Sequence, residues 1–192
     1  MIQLNDLPEN DALRSERFGV LFGELNRLIS IIAIKDFRSI TEQTLKIASV
    51  GFWIRECSLK YHPKEERGIH GNLIHTINVA KLVLVIANCC MYNRWHTSRV
   101  LSAAILHDIC RHGLDGLSEY SEERHPELVR LLMDNHRIGI NSPAREEMLN
   151  DIERHMGRWY DPSYAPGIVP SEILHLADAI DAKEEEWSFL IR

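Results

Sequence analysis

The chain has little of the material that builds several common classes of protein. Cysteine is scarce: Cys57, Cys89, Cys90 and Cys110 show no CxxC spacing, which excludes a paired-cysteine zinc site. Three of the four lie in apolar stretches, so they are expected as reduced core residues of a cytoplasmic protein. Positive charge is also short, with 22 Lys and Arg against 28 Asp and Glu, a net charge of −6. There is no basic field for gripping a long nucleic-acid backbone, although an enzyme acting on short or single-stranded ends stays open. The opening "MIQLNDLPEND" lacks the basic and apolar segments of a signal peptide. The most apolar run, 82 to 92, is too short to span a bilayer and is expected as a buried helix, with no membrane partner. No strand-like alternation, repeat or low-complexity tract occurs.

What is present is helical periodicity around one core. A chain of 192 residues, 45% hydrophobic and 26% charged, suits a single globular domain spanning 1–192. Residues 12–34 place Leu13, Val20, Leu21, Leu25, Leu28, Ile31 and Ile32 on one broad face. Further helices are expected over 41–57, 70–91, 97–111, 121–136, 144–156 and 171–187, an all-α fold of about seven helices. Ser142 followed by Pro143 reads as an N-cap and first helical position. "YHPKEERG" (61–68) is a polar break, "GRWYDPSYAPGIV" (157–169) a loop, and "KEEEW" (183–187) a solvated helix end.

The chemistry concentrates in the histidines. His75 lies in "GNLIHTINVAKLV", the doublet His107-Asp108 ends the apolar run of "AAILHDICRHG", and Asp178 lies in "ILHLADAIDA". Each is costly to bury without a partner. A lone buried histidine is usually a satisfied core residue, but several on separate helices of one small core suit a divalent cation. Adjacent residues of a helix point about 100° apart, so both members of the doublet can reach one ion only at a helix end.

His75, His107-Asp108, His125, His155 and Asp178, in that order, resemble the signature of the HD-domain superfamily of metal-dependent phosphohydrolases. The stretches "GNLIHT", "AAILHDIC", "HPELVRLL", "IERHMG" and "EILHLADAIDA" carry the resemblance over 69–183, leaving 1–60 as N-terminal helices of unassigned role. The wording around His75, His155 and Asp178 is similar to HD domains of bacterial 3'-5' exoribonucleases. "HPELVRLL" instead resembles the cyclic-dinucleotide phosphodiesterase branch. Two departures stand out. The usual "HDIGK" is "HDICR", with Arg111 in place of a phosphate-contacting lysine, and the fourth ligand's wording is "RHMG".

The resemblance implies an HD-type helical domain with the metal site in its core and His75, His107, Asp108, His125, His155 and Asp178 as ligands. It implies two divalent ions bridged by Asp108, manganese or iron rather than zinc, with magnesium, nickel or cobalt also admissible. The expected reaction is cleavage of a phosphoester or phosphoanhydride in a nucleotide or short nucleic acid by a metal-activated hydroxide. Arg111 and His112 are the expected phosphate or leaving-group contacts, with Lys81 and Arg158 behind them. His136 competes with His125 for one position, and His175, one turn before Asp178, is expected to support a ligand or pack in the core. Trp159, Tyr160 and Tyr164 could stack a base or pack their loop onto the core. A di-iron oxygenase on the same scaffold and a metal-bound regulatory domain without turnover are the competing readings. The oligomeric state is left open, a homodimer included.

Overall fold

The structure, a computed structural model, describes residues 1–57, 62–157 and 169–182, and among them every regular element is helical. Eight α-helices run in chain order: α1 Glu16–Ile31, α2 Lys35–Lys46, α3 Val50–Ile54, α4 Gly71–Cys89, α5 Arg94–Leu106, α6 His125–Asn135, α7 Pro143–Arg154 and α8 Val169–Ala182. Short 3-10 turns precede α1 and α4. The expected end of the last helix, "KEEEW", and residues 158–168 of the expected loop 157–169 lie outside the described residues, and Val169, the last residue of that loop, already belongs to α8.

Two expected helices are divided, each by a side chain or close contact that periodicity does not register. The 12–34 segment breaks at Ser15, whose Oγ accepts from the Phe18 amide at 3.1 Å and so caps α1. α1 stops at Ile31 because the next amides find a better partner: those of Ala33 and Ile34 both donate to Ser98 Oγ on α5 at 3.1 Å. The 41–57 segment becomes the end of α2 followed by α3. At Gly51 an added Cβ would lie 2.4 Å from the Gly116 carbonyl, so glycine is what lets these segments touch. The α7 start follows expectation, with Ser142 as N-cap and Pro143 first in the helix.

α5 is the central helix. Ser98 through Leu106 are all buried, and α2, α4, α7 and α8 pack around it. Small residues at Ser102, Ala103 and Ala104 permit that crowding. The N-terminal helices share the same core, with Phe18, Leu25 and Ile29 of α1 joining Trp53, Leu73 and Leu101. Phe18 meets Trp53 edge-on, ring centres 6.1 Å apart.

The apolar run at 82–92 departs from expectation. α4 extends from Gly71 to Cys89 and is long and apolar enough, by length and composition, to cross a membrane, while half of that window is buried in this fold. Its polar residues Asn72 and His75 face inward at one end. Its apolar final turns are the part left open, with Val85 61% exposed, and Met91 just beyond the helix is 90% exposed. Cys89 and Cys90 are therefore exposed, whereas Cys57 and Cys110 are buried as expected. Burial pushes both of these buried thiols up to about 12.

One buried ion pair ties α5 to α7. Arg99 Nε and Nη2 donate to the two oxygens of Asp151 at 2.6 and 2.7 Å, a bidentate match. Asp151 is fully buried, so removing its partner strands an uncompensated charge. Arg99→Met is expected to destabilise the fold by about 3–5 kcal/mol in urea unfolding. A loss below about 1 kcal/mol would show that the pair does not hold α5 to α7.

Candidate metal centre

The six expected ligands come together, and they do so largely at helix ends. His75 sits on the second turn of α4, His107 and Asp108 directly follow α5, His125 opens α6, His155 directly follows α7, and Asp178 projects from α8. His136, the competitor of His125, is exposed at the far end of α6.

The helix ends also fix the rings. His107 Nδ1 lies 2.8 Å from the Ala104 carbonyl, His125 Nδ1 2.7 Å from that of Glu122, and His155 Nδ1 2.7 Å from that of Ile152. Each partner is the carbonyl three residues earlier, and the last carbonyls of a helix lack intrahelical partners. A carbonyl can only accept, so each Nδ1 carries the hydrogen and a neutral ring turns its Nε2 lone pair inward.

Asp108 stands where those lone pairs converge. Its Oδ1 is 2.9 Å from His125 Nε2 and 3.9 Å from His155 Nε2. Its Oδ2 is 3.7 Å from His75 Nε2 and 3.8 Å from His107 Nε2. Asp178 Oδ1 joins this second group, 3.1 Å from His75 Nε2 and 3.9 Å from His107 Nε2. Two donor groups thus share one carboxylate, with one oxygen turned to each.

The chemistry of these donors fits a divalent cation. His125 Nε2 and His155 Nε2 are buried without a hydrogen-bond partner. At 2.9 Å, the His125 lone pair faces an Asp108 oxygen, two acceptors that only a cation or a proton between them reconciles. Burial, reinforced by the neighbouring His107 and His125, pushes His155 down to about 3, and burial lowers His107 as well. Both rings are neutral, the form a metal requires. Burial alone would raise Asp108, but Arg111, His107 and His125 hold its carboxyl well below the usual range. His75 holds Asp178 low in the same way against the effect of burial.

His75 differs from the other three. Its Nδ1 donates to Asp181 Oδ2 at 2.6 Å, and Glu66 Oε2 lies 3.6 Å from the same nitrogen. Burial opposes charge on this ring, yet Asp178, Asp181 and Glu66 outweigh it and raise its pKa well above the ordinary value. A carboxylate behind a ligating histidine orients the ring and increases its basicity. Glu66 and Asp181, with His62, were hidden in the sequence. Glu66 lies in a charged run that reads as surface, and Asp181 follows Asp178 at the i,i+3 spacing that places both on one face.

Other expected contacts fall elsewhere. Both ring nitrogens of His112 face backbone carbonyls, Ser118 at 3.2 Å and Glu56 at 3.3 Å, so it clamps two loops together and does not reach for a phosphate. Arg111 is partly buried and directed at Asp108 Oδ2 at 2.5 Å, not at an open pocket. Lys81 pairs with Glu24 on α1. His175 donates from Nδ1 to the His155 carbonyl at 2.7 Å, supporting the backbone of that ligand. Arg158, Trp159, Tyr160 and Tyr164 lie outside the described residues. No family model, curated protein or solved structure matches the chain.

A cation at His75 must displace the Nε2 proton that its raised pKa retains. Affinity for Mn(II) is therefore expected to rise with pH until the ring loses that proton unaided. Below that point Kd should increase about tenfold per unit fall in pH for each proton displaced. Calorimetry in buffers of different ionisation heat counts the protons released. Binding that neither releases protons nor varies with pH would place the cation elsewhere.

Proposed function

We propose that this chain is a metal-dependent phosphohydrolase that cleaves a phosphoester or phosphoanhydride in a nucleotide or short nucleic acid. The observation that carries this reading is the division of Asp108, whose Oδ1 faces His125 and His155 while Oδ2 faces His75 and His107. His75, His107 and Asp178 would hold one divalent ion, His125 and His155 a second, and Asp108 would bridge them. Mixed nitrogen and oxygen donors favour manganese or iron over zinc. When bound, the pair supplies an acidified water and neutralises phosphoryl oxygens.

The protein's own residues bias the site toward an anion. Six ligands bring two negative charges and Asp181 and Glu66 behind His75 bring two more, against four positive charges on two dications. Arg111 adds a further positive charge beside Asp108. A substrate carrying phosphate restores the balance. Asp178 is the most exposed of the ligands, its side chain 20% accessible, and a substrate would approach past it on the α8 side. His107 and His75, with no exposed side-chain surface, keep water from the back of the site. The net charge of −6 opposes capture of a long polyanion and favours a small substrate.

The test measures bound metal, then phosphate or nucleoside release from nucleotides, cyclic dinucleotides and short oligonucleotides. Asp108→Ala is expected to lower kcat/KM by more than the roughly 10–100-fold typical of losing an outer partner of a ligand. Full activity in that variant would sink the metal-site mechanism. Oxygen consumption by the iron-loaded protein, with no phosphate released from the panel, would establish the oxygenase alternative.

A further inference from the structure

Behind Asp108 runs a line of polar groups, buried at its far end, whose role goes beyond the charge that Arg111 adds to the site. Arg111 Nη1 meets Asp108 Oδ2, and Arg111 Nη2 donates to His62 Nε2 at 3.0 Å. His62 Nδ1 donates to Glu66 Oε2 at 2.9 Å, and Asn78 Nδ2 donates to Glu66 Oε1 at 3.0 Å. Ser121 Oγ receives Arg111 Nε at 3.0 Å. Glu66 is fully buried and His62 is 4% exposed, an expensive placement for a carboxylate and a ring unless each is held on both sides.

The segment carrying Glu66 is set by backbone contact. Gly71 opens α4, and a Cβ there would lie 1.8 Å from the Glu66 carbonyl. The Glu66 carbonyl accepts from the Cys57 amide at 2.9 Å, and the Asn72 amide donates to the Arg55 carbonyl at the same distance. The segments 54–57 and 66–72 are thus laced together beneath the site. Asn72 also reaches the backbone carbonyl of Asp108, at 3.3 Å.

His62, Glu66, His75 and Asp181 bring four donor atoms close enough to suggest a cation of their own. That assignment fails on the histidine. His75 Nδ1 carries the hydrogen that it donates to Asp181, so it has no lone pair to offer a cation on that side. The cluster is a brace.

We propose that Glu66, His62 and Arg111 form a positioning strut that locks the rotation of the Asp108 carboxylate, so that its two oxygens serve different histidine pairs. A carboxylate turns freely about its last bond unless its oxygens are anchored separately. The planar guanidinium anchors Oδ2 from one side, and its second nitrogen is held by His62, which Glu66 holds in turn. His62 must then carry its proton on Nδ1 and accept at Nε2. This inference rests on the two-metal reading for its metal readout, but the hydrogen-bond line stands independently of it.

Two measurements test the strut. In the wild-type protein, 15N NMR of the imidazoles should find His62 protonated at Nδ1 and not at Nε2. A ring protonated at Nε2 cannot accept from Arg111, and that result would overturn the proposal without any variant. Mn(II) titration followed by calorimetry and EPR should give two ions with a spin-coupled signal in the wild type. Arg111→Lys keeps the charge but loses the fork, and His62→Phe keeps the shape but loses both nitrogens. Each is expected to weaken the second equivalent roughly 10–100-fold and abolish the coupled signal. Wild-type coupling and affinity in Arg111→Lys would show that charge alone suffices and defeat the strut. If the wild type binds no metal, the phosphohydrolase reading fails, and the His62 tautomer still decides the hydrogen-bond line.

Discussion

The structure depends on one buried anion. Asp108 is 3% exposed at the end of the most enclosed helix of the fold, where an unpaired carboxylate would neutralise or unfold its surroundings. Its compensation comes from three helices and the end of α5. α4 brings His75, α6 brings His125, α7 delivers His155, and Arg111 turns back from just beyond α5, while α8 sets Asp178 and Asp181 against His75. The tight packing of α4, α7 and α8 on α5 therefore serves a second end besides burying apolar surface. It brings side chains from distant parts of the chain within 4 Å of one carboxylate.

The helix ends account for how three of the four histidines hold a fixed tautomer there. A ring inside a helix has no natural partner for Nδ1, because the nearby carbonyls are already bonded. A ring just past the last turn finds a carbonyl three residues back, and so gains a fixed tautomer at no cost in new polar groups. His107 and His155 use this arrangement directly, and His125 uses the turn before α6 in the same way. His75 lies within α4, and its Nδ1 is satisfied by the carboxylate of Asp181 instead. Asp178 at Nε2, together with the carboxylates of Asp181 and Glu66 behind the ring, pushes His75 toward its charged form against the effect of burial.

Much of this was legible in the residues. The helices and their count to within one follow from periodicity, whereas the set His75, His107, Asp108, His125, His155 and Asp178 was implied by the resemblance to the HD-domain signature. What was not legible depends on contacts distant in sequence. Ser98 ends α1 by taking two amides from 64 and 65 residues away, and no local pattern announces that. Glu66 has the composition of a surface residue and the burial of a core residue, because Gly71 admits its backbone beneath α4. The apolar run 82–92 read as buried because hydrophobicity reports cost and not location; Val85 and Met91 are exposed all the same. His112 read as a phosphate contact from its place beside the doublet, but adjacent residues leave a helix end in different directions.

The arginine at position 111 becomes intelligible once its partners are known. Against the HD-family wording it is a departure from lysine, and on the sequence it passes as a retained positive charge. A lysine offers one ammonium at the end of a flexible stem, enough to meet a phosphate or a carboxylate. Arg111 meets Asp108, His62 and Ser121 with three different nitrogens held in one plane. That division of contacts needs a rigid fork, and it needs an acceptor at His62 Nε2, which exists only because Glu66 takes the other ring hydrogen. The arginine at 111 and the burial of Glu66 are thus two sides of one arrangement. A lysine has no second nitrogen to donate to His62 Nε2, and the line from Glu66 to Asp108 would stop at that ring.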